Sequence, residues 1–111
     1  LPIRIPSAPA PNTRHARHLY TVFIPSGLLK INRDRFQQEL LRCKIGTAVH
    51  FISLHLQPYY RKTFGYRSED FPNANWISRH TLSLPLSAKL NDKDIDDVIW
   101  AVKRIVNRYK R

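Results

Sequence analysis

Three stretches of the chain have the pattern of strands. Residues 18–24 are mostly β-branched or aromatic and end at Pro25 and Gly27, which predicts a buried strand followed by a turn. Residues 47–52 are similarly apolar and predict a second strand. Residues 81–86 alternate between polar and apolar positions, and Pro85 places this third strand at a sheet edge or near its own end.

Two longer stretches have helical periodicity. Asn32 is a favourable N-cap, and the apolar residues after it recur at helical spacing, so a helix is predicted to run to about Lys44, with Gly46 just past its end. A second helix is predicted from Asn91 to the C-terminus. Aspartates crowd its first turn and cations its last, and one apolar stripe runs along it, formed by Ile95, Val98, Ile99, Val102, Ile105, Val106 and Tyr109.

The remaining stretches are irregular. Residues 1–17 hold four of the eight prolines and predict an extended Pro-rich N-terminal segment. Residues 53–80 are rich in aromatic side chains, with a short helix predicted near 74–79. The order of elements therefore predicts an α+β domain over residues 18–111, in which a small sheet of about three strands carries helices on one face.

The charge balance points to an anionic partner. The chain has 19 Lys+Arg against 8 Asp+Glu, a formal net charge of +11. Nucleic acid, a phosphorylated substrate and an acidic protein domain all fit that balance. Because the cations are scattered from Arg4 to Arg111 rather than massed in one block, nucleic acid is the weakest of the three.

Several classes of site find no support in the sequence. With only three glycines the chain has no phosphate-cradling glycine loop, and no hydrolase or metalloprotease motif is present. The five histidines have no spacing typical of a zinc site. Cys43 is the one cysteine and is predicted to be a buried apolar residue of the first helix. No apolar run is long enough to span a membrane, and a cytoplasmic location is expected.

The strongest candidate for a binding site is the stretch 49–61, which leaves a predicted strand and enters the aromatic region. It contains His50, His55, Tyr59, Tyr60 and Arg61. Imidazole, phenol and guanidinium groups together suit a phosphorylated sugar, because they can donate to phosphate and hydroxyl oxygens and offer flat faces to a ring. The same residue types also fit a loop whose rings simply pack against the core.

Four motifs, in order, resemble the DegT/DnrJ/StrS family of PLP-dependent sugar aminotransferases. They are Arg14-His15-Ala16-Arg17-His18-Leu19-Tyr20, the stretch from Lys44 to Tyr60, Ser83-Leu84-Pro85-Leu86, and the stretch from Asn91 to Ile99. Departures are few: Phe51 stands for the usual Tyr, Ser53 for a common Pro, and Arg17 for a frequent Trp. The resemblance covers nearly the whole chain and implies the C-terminal small domain of a fold-type I aminotransferase.

The resemblance also implies a division of labour. In such enzymes a large domain carries the lysine that binds PLP, so this chain alone is expected to bind no PLP and to be inactive. The small domain covers the active-site cleft and helps bind a nucleotide-linked keto-sugar, with glutamate as the amino donor. Substrate-side roles are implied for His50 and His55, and more weakly for Tyr59, Tyr60 and His18.

The absence of methionine, even at position 1, favours a fragment of a longer protein whose large PLP domain lies elsewhere. Homodimerisation or self-association is expected, and neither a nucleic-acid partner nor a membrane is. Two other interpretations remain open from the sequence: a free-standing basic module that binds nucleic acid or an acidic protein, and a structural or regulatory remnant without a ligand.

Overall fold

The computed structural model describes all residues, 1–111, as two strands, four helices and two short 3₁₀ turns. In chain order these are β1 (Tyr20–Phe23), α1 (Arg33–Arg42), a turn at Leu54–Leu56, α2 (Pro58–Phe64), a turn at Ser68–Asp70, α3 (Pro72–His80), β2 (Thr81–Leu84) and α4 (Asp92–Tyr109). This order confirms the α+β class. None of the helices is both long and apolar enough to cross a bilayer.

The sheet has two strands, not three. β1 and β2 pair antiparallel, with Val22 opposite Leu82 and Thr21 opposite Ser83. The strand predicted at 47–52 is wrong: it is reduced to one bridge, in which the backbone groups of Ala48 and Ser83 exchange hydrogen bonds of 3.2 and 2.8 Å. The apolar residues of this stretch do not join the core, since Phe51 and Ile52 are 72% and 54% exposed.

The core lies on one face of this sheet, where α1 and α4 cover it. Val22 and Leu82 point to that face and are almost fully buried. They pack with apolar residues of the following turn and the two helices: Ile24, Leu29, Phe36, Leu40, Ala101, Val102, Ile105 and Val106. Alternation along a strand sends Thr21 and Ser83 to the opposite face, so polar side chains occur there beside the aromatic region.

Both long helices begin as predicted. The Asn32 side chain accepts from the Arg35 N–H, and Asn91 and Asp94 form a reciprocal capping box at the start of α4. The end of α1 differs from the prediction, because the left-handed residue is Lys44, with φ 61°, rather than Gly46. The Lys44 and Ile45 N–H groups bond to the carbonyls of Leu41 and Leu40, the pattern of a Schellman motif. Cys43, at the C-cap, is only half-buried, and it packs against the core.

α3 is longer than the predicted 74–79 and is fixed to the face of the sheet opposite the core. The Trp76 ring lies 5.3 Å from Phe23, centroid to centroid. Buried His80 bonds through Nδ1 to the Trp76 carbonyl, at 2.6 Å, and through Nε2 to the Ser26 hydroxyl, at 2.9 Å. These contacts hold α3 as a platform for the aromatic region.

The N-terminal residues 1–17 form no helix or strand and are mostly exposed. One point of this segment is attached to the sheet: Arg4 exchanges backbone hydrogen bonds with Phe23, at 3.0 and 2.8 Å, and its guanidinium lies over Trp76. The boundary between this segment and the domain at 18–111 remains a prediction.

Candidate functional site

His50 is held at the edge of the sheet by a serine of β2. The bridge between Ala48 and Ser83 carries the chain alongside β2, and His50 Nδ1 then lies 2.9 Å from the Ser83 hydroxyl oxygen. Ser83 is buried, whereas the imidazole is half-buried. This contact fixes the ring through one nitrogen and leaves Nε2 free to bond to a ligand. A cis peptide bond joins His50 to Phe51, whose ring lies against the imidazole.

Ser53 attaches the following loop to α3 with two hydrogen bonds. Its N–H donates to the Ser78 hydroxyl at 3.1 Å, and its own hydroxyl donates to the Ala74 carbonyl at 2.7 Å. Ser78 is buried. The departure from the family pattern at Ser53 therefore supplies a structural tie, and this tie positions the turn that carries His55.

His55 is the buried histidine of this region. Only 6% of the residue is exposed, and its Nε2 has no hydrogen-bond partner. Its ring lies 5.0 Å from that of Phe71. A buried polar nitrogen without a partner is costly, so His55 Nε2 is a candidate to bond to a further group.

Tyr59 and Tyr60 belong to the same row of rings as His55. Neighbouring centroids lie 5.0 to 6.1 Å apart along the whole row, which we call the aromatic row and which consists of His55, Phe71, Tyr66, Phe64, Tyr60 and Tyr59. Tyr59 and Phe64 are more than half exposed. The row thus begins at a buried imidazole and ends at a surface that offers flat apolar faces.

Cations border the aromatic row. A shallow cleft of about 500 Å³ beside α2 is lined by Arg61, Lys62 and Arg67 together with Tyr66. Of these cations, Arg67 has an acidic partner, Glu69, at 3.3 Å. The pKa of the exposed Glu69 carboxyl is lowered, chiefly by a hydrogen bond from its own backbone N–H and then by the Ser68 hydroxyl. Positive charge remains in excess here, as an anionic ligand requires.

The structure brings three of the predicted residues into one row of contacts and leaves His50 and His18 outside it. His55, Tyr59 and Tyr60 share the aromatic row, and His50 lies five residues before His55 on the same connection. His18 is exposed, precedes β1, and makes no hydrogen bond or ring contact with the other four. No group of three or more His, Cys, Asp or Glu side chains could hold a metal ion.

Ser83 and Ser53 were not among the predicted site residues. The alternation of β2 places Ser83 on the face opposite Leu82, which the sequence shows. What the sequence does not show is that His50 arrives at that face, because the contact depends on the bridge between two segments 35 residues apart. Phe71 lies in the aromatic stretch 53–80, and its contact with His55 depends on the path of the loop.

Comparison with known proteins assigns the chain to a family. The profile of the DegT/DnrJ/EryC1/StrS aminotransferase family matches residues 1–103. The chain is 53% identical over 96 residues to Uncharacterized protein MJ1066 of Methanocaldococcus jannaschii, covering 86% of this chain and 25% of that protein. It is 47% identical over 94 residues to the Spore coat polysaccharide biosynthesis protein SpsC of Bacillus subtilis, covering 84% of this chain and 24% of SpsC.

Solved structures of similar fold agree with this family match. DesV of S. venezuelae, in complex with a ketimine intermediate, superposes with a TM-score of 0.82 at 29% identity over 97% of this chain and 27% of DesV. Spr1654 of Streptococcus pneumoniae, assigned as a sugar aminotransferase, gives 0.84 at 27% identity over 96% of this chain and 26% of its own. The chain spans about a quarter of the length of these relatives. It belongs to the DegT/DnrJ/EryC1/StrS aminotransferase family.

Proposed function

We propose that this chain is the substrate-side small domain of a PLP-dependent aminotransferase that acts on nucleotide-linked keto-sugars. In an enzyme of the relatives' length, the remaining three quarters of the protein would supply the lysine that binds PLP, and glutamate would supply the amino group. The observation that carries the proposal is the aromatic row with the cations beside α2, preceded along the chain by His50, within a fold shared with sugar aminotransferases.

The relatives support the class of substrate. SpsC is named for spore coat polysaccharide biosynthesis, and Spr1654 is assigned as a sugar aminotransferase. A nucleotide-linked sugar has a base, a diphosphate and hydroxyl groups. The aromatic row offers faces for a base or sugar ring, and Arg61 and Lys62 offer donors to phosphate oxygens.

The residues of this chain do not fit a PLP site of their own. The lysine that binds PLP needs an enclosed position and a lowered pKa, so that a neutral amine forms. All seven lysines are exposed: Lys30, Lys44, Lys62, Lys89, Lys93, Lys103 and Lys110. The pKa of Lys93 is raised, chiefly by its hydrogen bond to Asp97, which is the opposite of what the chemistry needs. This supports the location of the PLP lysine outside the chain.

The proposed task of His50 is to bind and orient the substrate. When the Ser83 hydroxyl donates to Nδ1, the proton of the neutral imidazole is on Nε2, which can then donate to a sugar hydroxyl or a phosphate oxygen. Ser83 is a positioning residue in this account, since it acts through His50. His55, whose buried Nε2 lacks a partner, would bond to a group that enters with the substrate or with the large domain.

The experiment is to replace His50 with Ala in the full-length enzyme and to measure kcat/KM for the keto-sugar together with the absorbance of the bound cofactor. Loss of a hydrogen bond to a charged group costs about 2 kcal/mol, so kcat/KM should fall about thirtyfold. Cofactor absorbance should be unchanged, because none of the proposed PLP contacts lies in this domain.

Two further variants make the result specific. Ser83→Ala should raise KM less than His50→Ala does, because the imidazole remains but loses its orientation. His15→Ala, which removes an exposed histidine whose Nδ1 accepts only from the nearby Arg17 N–H, is the matched control and should leave kcat/KM unchanged. Unchanged kcat/KM in His50→Ala, with the fold intact, would remove His50 from the site.

A further inference from the structure

A second basic cleft lies between α1 and α4, away from the proposed sugar site. It has a volume of about 380 Å³ and is lined by Arg42, Lys44, Arg104 and Arg108, with Trp100 and Glu39 among the other lining residues. It shares no residue with the aromatic row or with the cleft beside α2. The volume is within the range of small-ligand sites.

Neighbouring groups hold the guanidinium groups of this cleft in place. The Arg42 Nη1 lies 2.7 Å from the Glu39 carboxylate. Arg104 lies over the ring of Trp100, with its guanidinium carbon 5.0 Å from the centroid, and Arg108 lies over Tyr109 at 5.4 Å. These contacts direct guanidinium groups from both helices to the same cleft.

The cleft has an excess of positive charge. Glu39 is its one carboxylate, only 5% exposed, and two arginines already share it, since Arg35 lies 2.8 Å from the same oxygen as Arg42. Lys44, Arg104 and Arg108 have no acidic partner within 4.0 Å. Planar guanidinium groups in such a cluster favour bidentate contacts with phosphate oxygens. The Trp100 side chain is prominent at the surface, because 55% of the residue is exposed.

We propose that the cleft between α1 and α4 is a binding site for a diphosphate group, and that the exposed Trp100 stacks on the base of a nucleoside diphosphate. Arg104 and Arg108 of α4 and Arg42 of α1 contact the phosphate oxygens. Free pyrophosphate has the same anionic chemistry without the base, so comparison of the two ligands separates the two sources. This inference does not depend on the proposed aminotransferase function.

The test is isothermal titration calorimetry of the chain with ADP and, separately, with pyrophosphate. Both should bind, and ADP should bind about tenfold more tightly, since a stacked base adds substantially to affinity. Trp100→Ala should lower the affinity for ADP to that for pyrophosphate and leave pyrophosphate binding unchanged. The double variant Arg104→Gln, Arg108→Gln should weaken both ligands by tenfold or more.

The matched control is the double variant Arg79→Gln, Lys89→Gln, which removes the same charge from exposed positions outside both basic clefts and should leave both affinities unchanged. All of the substituted residues are exposed, and circular dichroism will verify that each variant is folded. Absence of binding, or equal losses in the two double variants, would overturn the proposal. So would an oligonucleotide that binds with steep salt dependence while neither diphosphate binds, since the cleft would then serve nucleic acid.

Discussion

Lys44 ends α1 in a left-handed backbone conformation, with φ 61°. This conformation costs about 1 kcal/mol for a residue with a Cβ, whereas for glycine the cost is close to zero. The backbone hydrogen bonds of the Schellman motif hold Lys44 there, and Ile45 packs against the core directly after it.

We therefore expect Lys44→Gly to raise the free energy of unfolding by about 1 kcal/mol, measured by urea denaturation. Lys44→Ala is the matched control: it removes the same charge but keeps the Cβ, so it should bring no gain. A Lys44→Gly variant no more stable than Lys44→Ala would mean that the left-handed conformation carries no cost here.

For individual residues, the sequence shows which side chains have suitable chemistry but predicts the contacts between them poorly. It identifies His50, His55, Tyr59 and Tyr60 as candidate site residues in one stretch, because their chemistry is visible in the side chains. The hydrogen bond between His50 and Ser83 could not be predicted from the sequence. It depends on how the loop folds back onto β2, and no local pattern encodes that path.

Arg33 connects three elements at the junction of α3 and β2. It lies in the first turn of α1, its side chain is 11% exposed, and its Nη1 donates to the carbonyls of Thr81, at 2.8 Å, and Ser78, at 3.2 Å. The carbonyls at the end of a helix lack partners within it, so a cation that caps them is stabilising.

Arg33→Ala should lower the free energy of unfolding by about 2 kcal/mol, because it removes charge-assisted hydrogen bonds and leaves partly buried carbonyls unsatisfied. The control, Arg79→Ala, removes an exposed arginine of α3 that makes no hydrogen bond and should change stability by less than about 0.5 kcal/mol. Thermal or urea unfolding of both variants is the measurement, and equal midpoints would contradict the role of Arg33.

The elements with strong periodicity or clear caps were predicted correctly. α1 and α4 have N-cap residues, and each has an apolar face of the kind that helices bury against a core. The strand predicted at 47–52 was wrong because a mostly apolar run of six residues is compatible with either a strand or an irregular segment. A strand forms only if the run can pair along its whole length with the free edge of a neighbouring strand.

The molecule exposes apolar surface where α4 passes β2. A groove of about 330 Å³ there is lined mainly by apolar residues, and three of them, Leu86, Ile95 and Ile99, are 48%, 46% and 44% exposed. The stripe predicted along α4 is thus buried only in its C-terminal half. Exposed patches of this kind mark interaction surfaces.

We expect the chain to form dimers or larger assemblies as its concentration rises, measured by sedimentation velocity. The double variant Ile95→Lys, Ile99→Lys should weaken association by about tenfold or more, since each side chain would lose about 1 kcal/mol of apolar burial. Leu41→Lys, which changes an exposed leucine of α1, is the control and should leave association unchanged. A chain that stays monomeric at high concentration would contradict this expectation.

The central claim at the scale of the whole molecule is that this domain supplies contacts to substrate and the rest of the enzyme supplies the PLP lysine. The direct measurement is the intact mass of the chain after incubation with an equimolar amount of PLP and reduction with borohydride, which fixes PLP to any lysine that has bound it. The account predicts no stoichiometric gain in mass: every lysine is exposed, so any labelling should be weak and spread over several lysines. A stoichiometric gain of one reduced PLP on a single lysine would contradict it.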